Sequence, residues 1–354
     1  MADTHKMLAD LWYLVTALVL LIYVFLDGFD LGIGVLTGLT SNPGQRVQML
    51  AAVDPVWDAK ELWLLLLTAI VFAVFPGLLS SAAQAAMVPF LAMLAGLAIR
   101  SHSIRLRRRS GDDAAAVRAF TLGSTITALA QGLLLGAYLT GVTPVGDAAV
   151  PGWPWLSPLA VLVALAVCAG YTLLGATYLL RTRPRACGTA HPRRCAYLAA
   201  SLFLVTAVVV TVWLPQLHPM LAERWSQHPL ACVIGVCALA AGFSILYGAI
   251  RRQLPRAPFA SALFIVAALF VAFTLSLYPY VVPDALTASQ AAAPDPILVY
   301  MLTGAGILIP IVLFFNGYQH LAARDEARTE PSPHGNPGGI RSGVSRSDQT
   351  GSGR

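Results

Sequence analysis

The chain has 354 residues, 57% hydrophobic and 11% charged, with a formal net charge of +6. A mean hydropathy of +0.70 excludes an ordinary water-soluble domain. The basic excess falls in separate short stretches between apolar runs rather than in one patch, which argues against a nucleic-acid partner.

Nine apolar runs are each long enough, at about 20 residues, for a helix to cross a bilayer core of about 30 Å. They cover roughly 9–37, 57–78, 80–100, 117–140, 157–181, 196–214, 229–250, 258–279 and 297–320. Their Leu, Ala and Val content suits helices, and the alternating pattern of a membrane barrel is absent from the sequence. The prediction is an all-α polytopic membrane protein. The opening MADTHKMLADLW is short and the run behind it lacks an A-x-A site, so it reads as a retained first helix.

Helix 1 carries two acids in YVFLDGFDLGIG, Asp27 and Asp30, which share a face because they are three residues apart. Helix 2 opens on VWDAKELWLLLL, with Asp58, Lys60 and Glu61. After helix 3 come Arg100, Arg105, Arg107, Arg108, Arg109 and Arg118, read as one interhelical stretch. Arg181, Arg183, Arg185, Arg193 and Arg194 follow helix 5, and Arg251, Arg252 and Arg256 follow helix 7. The intervening loops 141–156 and 280–296 contain neither Lys nor Arg. This alternation is the positive-inside pattern and puts the N-terminus outside and the C-terminus inside. Trp153 and Trp155 in the 141–156 loop suit an interfacial aromatic belt. The transmembrane domain is assigned to 1–323, and 324–354, rich in Gly, Ser, Pro and Arg, is expected to be a disordered cytoplasmic tail.

Three Gly-xxx-Gly spacings, Gly28/Gly32, Gly34/Gly38 and Gly132/Gly136, predict close helix packing within the bundle. Cys168, Cys232 and Cys237 fall in membrane helices as small packing residues. Cys187, His191 and Cys195 share a basic loop, but two Cys and one His do not complete a tetrahedral metal set, and free thiols are expected. His5, His102, His191, His218, His228, His320 and His334 lie in loops, helix ends or the tail. Met87, Met93 and Met301 lie within helices, where Met is usually packing. No pair suited to holding a haem emerges, and no bound metal is expected.

The acids therefore carry the chemistry. An Asp near the middle of a membrane helix costs about 2.5–3.5 kcal/mol on insertion scales. The predicted topology gathers Asp27, Asp30, Asp58 and Glu61 in the inner half of the membrane, where a carboxyl row could relay protons from the cytoplasm. Two plainer readings stand beside it. Asp58 and Glu61 could cap helix 2, with Lys60 snorkelling or neutralising Glu61. Asp27 and Asp30 could be structural hydrogen-bonding groups.

The segment LDGFDLGIGVLTG resembles the first-helix signature of subunit II of cytochrome bd-type quinol oxidases. The resemblance continues through VWDAKELWLL with VFAVFP, QGLLLGAYLTGV, GATYLLRTR and SLYPYVVPDALT, in family order over about 10–320. It implies nine transmembrane helices as two four-helix bundles plus one peripheral helix. It also implies a haem-free subunit paired with a haem-bearing subunit I, which holds haems b and d and the quinol site. The complex would oxidise quinol and reduce dioxygen to water in the bacterial cytoplasmic membrane, among lipids and with room for a small accessory subunit. The acid of the family's W-D-G-N motif, where one proposed proton route starts, matches Asp58; Asp27 and Asp30 match acids along the same region. The sequence departs from the family at Ala59 and Lys60 in Trp57-Asp58-Ala59-Lys60, and at Ile104, where an E-F-R-like segment would carry an acid. The alternative is a divergent subunit II-like protein serving as a transporter or assembly factor.

Overall fold

The computed structural model describes residues 2–52, 61–110, 113–141, 153–182 and 190–329. The long helices are α1 (Ala2–Leu39), α4 (Pro76–Ser110), α5 (Asp113–Thr140), α6 (Pro158–Thr182), α7 (Ala190–Leu217), α9 (Pro229–Arg251), α10 (Ala257–Leu277) and α12 (Asp295–Thr329). Shorter helices are α2 (Pro43–Ala51), α3 (Glu61–Val74), α8 (Pro219–Gln227) and α11 (Ala288–Ala291). Strands β1 (Tyr280–Val282) and β2 (Leu286–Thr287) pair antiparallel in the segment between α10 and α12.

Among the described residues, eight helices are long and apolar enough to cross a membrane, and Leu62–Val74 is a shorter apolar helix. The second predicted run, 57–78, is described from Glu61 onward, and its helix ends at Val74. Pro76 lacks the N–H that would continue α3 and instead opens α4, while the Leu78 N–H donates to the Phe75 carbonyl across the corner.

The apolar core has two main parts that meet along α1. The first half of α1, through Leu8, Trp12, Val19 and Tyr23, packs on α3, on α12 and on the α10–α12 segment. The second half, through Leu31, Ile33 and Leu36, packs on α2, α5 and α6. Asp27 and Asp30 lie at the join between them.

Close approach explains the glycine pairs. A Cβ on Gly32 would overlap the Tyr171 carbonyl of α6, and Gly28 lies against the Tyr171 ring. Gly34 and Gly38 face Ser124 and Thr121 of α5, and Gly132 and Gly136 lie on Ala164 and Ala160 of α6. All three spacings pack helices of this chain against one another.

Three sequence expectations need correction. Arg100 is not a loop cation: RSHSIRLRRR continues α4 as helix for ten residues past the apolar run, and Arg100 is buried. His191 and Cys195 lie in the first turns of α7 rather than in a loop. The 280–296 stretch is not a bare loop but a hairpin followed by one helical turn, closed by a capping box between Thr287 and Gln290.

Candidate functional site

The site forms where α1 changes from one core cluster to the other. Tyr23, Asp27, Asp30, Gly34 and Thr37 recur at three- and four-residue spacing, so a straight helix presents them as one stripe. Asp27 is 4% exposed and Asp30 is fully buried. The α4 helix brings Arg100, itself 3% exposed, onto Asp27, and the Arg100 guanidinium donates from Nη2 to Asp27 Oδ1. Close contact of α4 with α5, through Gly96 and Gly123, lets the arginine reach across. Its own carbonyl accepts from Ser103 Oγ at 2.6 Å.

The second oxygen of Asp27 is served from the other side. Tyr23 O–H donates to Asp27 Oδ2 at 3.1 Å. Gln131 Nε2 on α5 donates to Tyr23 Oη at 2.6 Å, and Tyr171 O–H on α6 donates to Gln131 Oε1 at 2.7 Å. Every donor in this chain of bonds points towards Asp27. A carboxylate bonded on both oxygens, one bond charge-assisted, is well compensated for burial. Asp30 lies one turn further along α1 and interacts electrostatically with Arg100 and with Tyr178 of α6.

The stripe continues to the end of α1. Thr37 Oγ1 and Thr121 Oγ1 are 2.5 Å apart. Thr40 Oγ1 meets His191 Nε2 at 2.9 Å, and its carbonyl accepts from Arg46 Nε. Cys195 Sγ lies 3.6 Å from the same imidazole nitrogen. Among the described residues no three His, Cys, Asp or Glu side chains come together as a metal site.

Of the predicted proton-pathway residues, the structure brings Asp27 and Asp30 into one cluster. Asp58 and Lys60 lie outside the described residues, and Glu61 is the first residue of α3, with its side chain also outside them. Sequence reasoning missed Arg100, Tyr23, Gln131 and Tyr171. The signal for Arg100 was its place as the last residue of an apolar run, a helical turn or more before the dense arginines. The signal for the tyrosine was its i, i+4 spacing to Asp27.

Comparison with known proteins agrees with this arrangement of helices. The family model for cytochrome bd terminal oxidase subunit II matches residues 8–322. The chain is 33% identical over 108 residues to cytochrome bd ubiquinol oxidase subunit 2 of Bacillus subtilis (strain 168), covering 30% of this chain and 31% of that one. It is 27% identical over 221 residues to cytochrome bd-I ubiquinol oxidase subunit 2 of Escherichia coli (strain K12), covering 59% and 58%. The matched stretches thus span less than two thirds of either relative. In fold, the chain is similar to a chain in the structure of bd oxidase from Geobacillus thermodenitrificans, with a TM-score of 0.70 and 21% identity over 87% of this chain and 97% of that one. With eight apolar helices among its described residues and bacterial relatives, it is a multi-pass protein of the bacterial cytoplasmic membrane. Since the family match covers most of the chain and reaches every one of its described membrane-spanning helices, the chain belongs to the cytochrome bd terminal oxidase subunit II family.

Proposed function

We propose that this chain is the haem-free subunit of a bd-type quinol oxidase, working beside a haem-bearing subunit I and supplying protons from the cytoplasmic side. The family match carries the general role. The observation that supports the proton role is the buried cluster of Asp27, Asp30 and Arg100. Two carboxyls and one guanidinium are electrically balanced when the carboxyls share one proton, and low dielectric favours that balanced state. Arg100 is bonded to Asp27, and in this reading Asp30, one turn further along, is the group that takes up and releases the proton. Asp58 serves as the uptake point, with Glu61 and Lys60 setting its surroundings.

In this reading α3 is the ninth membrane helix, the nine form two four-helix bundles plus a peripheral helix, and the N-terminus lies outside. Haems b and d and the quinol site belong to subunit I, with lipids and a small accessory subunit completing the complex. The imidazoles of His5, His191 and His218 are committed to protein hydrogen bonds, which supports placing the haem ligands in the partner. The family match favours this role over that of a transporter or assembly factor.

The test is quinol-driven oxygen consumption by the complex carrying Asp30→Asn or Asp58→Asn. Both are expected to lower turnover at least about tenfold, the scale of a lost proton-transfer group, with the complex still assembled. Turnover unchanged in both variants would remove the proton role while leaving family membership intact.

A further inference from the structure

Two histidines far apart in the sequence hold the segment that joins α10 to α12. His218, buried at the α7–α8 junction, has Nδ1 2.6 Å from Asp284 Oδ2 and Nε2 2.7 Å from the Leu139 carbonyl at the end of α5. His5, in the first turns of α1, has Nδ1 2.5 Å from Asp295 Oδ1 and Nε2 2.9 Å from the Ser289 carbonyl. Both nitrogens of each ring therefore face oxygen acceptors. A neutral imidazole has one N–H and one lone pair, so it satisfies only one of them, whereas imidazolium donates to both. If the Asp instead donated to a neutral ring, the pair would need the same additional proton. Either way each clamp is complete only while it holds that proton.

The segment these clamps hold is built as a strap. Ala293 N–H donates to the Val74 carbonyl at 2.8 Å, tying the strap to the corner between α3 and α4. Gly77 at the start of α4 lies so close to Ala291 that a Cβ there would meet the Ala291 Cα at 3.0 Å. Asp284 sits in left-handed backbone, φ +57°, which a side-chain-bearing residue adopts at a cost. Its bond to His218 offsets that cost.

Among the described residues, the charged groups around the two rings are few. The hairpin presents Asp284 to His218, and α5 presents only a carbonyl. On α8, Glu223 accepts from Gln227, and Arg224 donates to the carbonyls of Leu275 and Ser276. Around His5, α12 presents Asp295 and α11 the Ser289 carbonyl, while Asp3 and Lys6 on its own helix are exposed.

We propose that the strap between α10 and α12 is a pH-sensitive fastening, closed by the His218–Asp284 and His5–Asp295 clamps and loosened when the medium becomes alkaline. The sign follows from the bonding: both clamps are complete on the acid side, and each loses a bond when it gives up its additional proton. This holds whether or not the proton role of the acids does.

The experiment is hydrogen exchange, read by mass spectrometry, on peptides covering 279–293 of the complex in nanodiscs at pH 6 and pH 9, corrected for the chemical exchange rate. The wild-type strap should lose about tenfold or more of its protection at pH 9, the scale of one charge-assisted hydrogen bond. Asp284→Ala and His218→Gln should show low protection at both pH values. Equal corrected protection of the wild type at the two pH values would overturn the proposal. So would a pH step of wild-type size in a folded Asp284→Asn/Asp295→Asn protein. Should the variants fail to fold, the wild-type comparison decides alone.

Discussion

Removing Arg100 is the sharpest perturbation of the buried cluster. In Arg100→Met the volume is roughly kept, but Asp27 loses the guanidinium bonded to Oδ1 and stays 4% exposed beside a buried Asp30. Deleting one partner of a buried pair costs about 3–5 kcal/mol, because the remaining charge is uncompensated. Asp27→Leu should cost less, since Arg100 keeps its interaction with Asp30. The double variant should cost less than the sum of the two by about 2 kcal/mol or more, as expected of residues in direct contact. Unfolding of the complex in mixed detergent micelles, followed by helical circular dichroism, measures all four corners of the cycle. Additive costs, or an Asp27→Leu loss greater than that of Arg100→Met, would refute the reasoning.

The same assay checks the packing and the rest of the network. Gly32→Val places side-chain atoms on the Tyr171 carbonyl and should destabilise by at least about 1–3 kcal/mol, the range for overpacking. Gly235→Ala, with open space around it, should be neutral or stabilising by up to about 1 kcal/mol. Tyr171→Phe removes the donor to Gln131 Oε1 and should cost about 0.5–1.5 kcal/mol. Lys60→Asn, which restores the family residue, should preserve or raise quinol-driven oxygen consumption, and a fall in the rate would count against Lys60 as a mere departure.

Much of this fold was legible because a bilayer demands long apolar helices, and those runs stand out in any reading of the sequence. The glycine spacings also told the truth about helix packing, since only a missing Cβ permits the Gly32–Tyr171 approach. The boundaries were harder. Hydropathy ends a span where charge begins, but backbone hydrogen bonds do not, so α4 runs on through the arginines to Ser110. That is why Arg100 passed for a topological charge. Asp27 and Asp30 were visible as costly groups, whereas the cation bonded to Asp27, Arg100, lies 73 residues away. No local pattern encodes that meeting. The two histidine clamps were hidden for the same reason: His218 and Asp284 each look like ordinary loop residues until the strap brings them to 2.6 Å.

The central claim is that this chain works as the haem-free half of a haem-bearing pair. Its most direct test is the reduced-minus-oxidised spectrum of material purified through a tag on this chain, from cells expressing it with and without the haem-bearing subunit. Haem b and haem d bands are expected in the co-expressed complex, and none when the partner is absent. Haem bands retained without the partner, or a chain that purifies alone from cells making both, would contradict it.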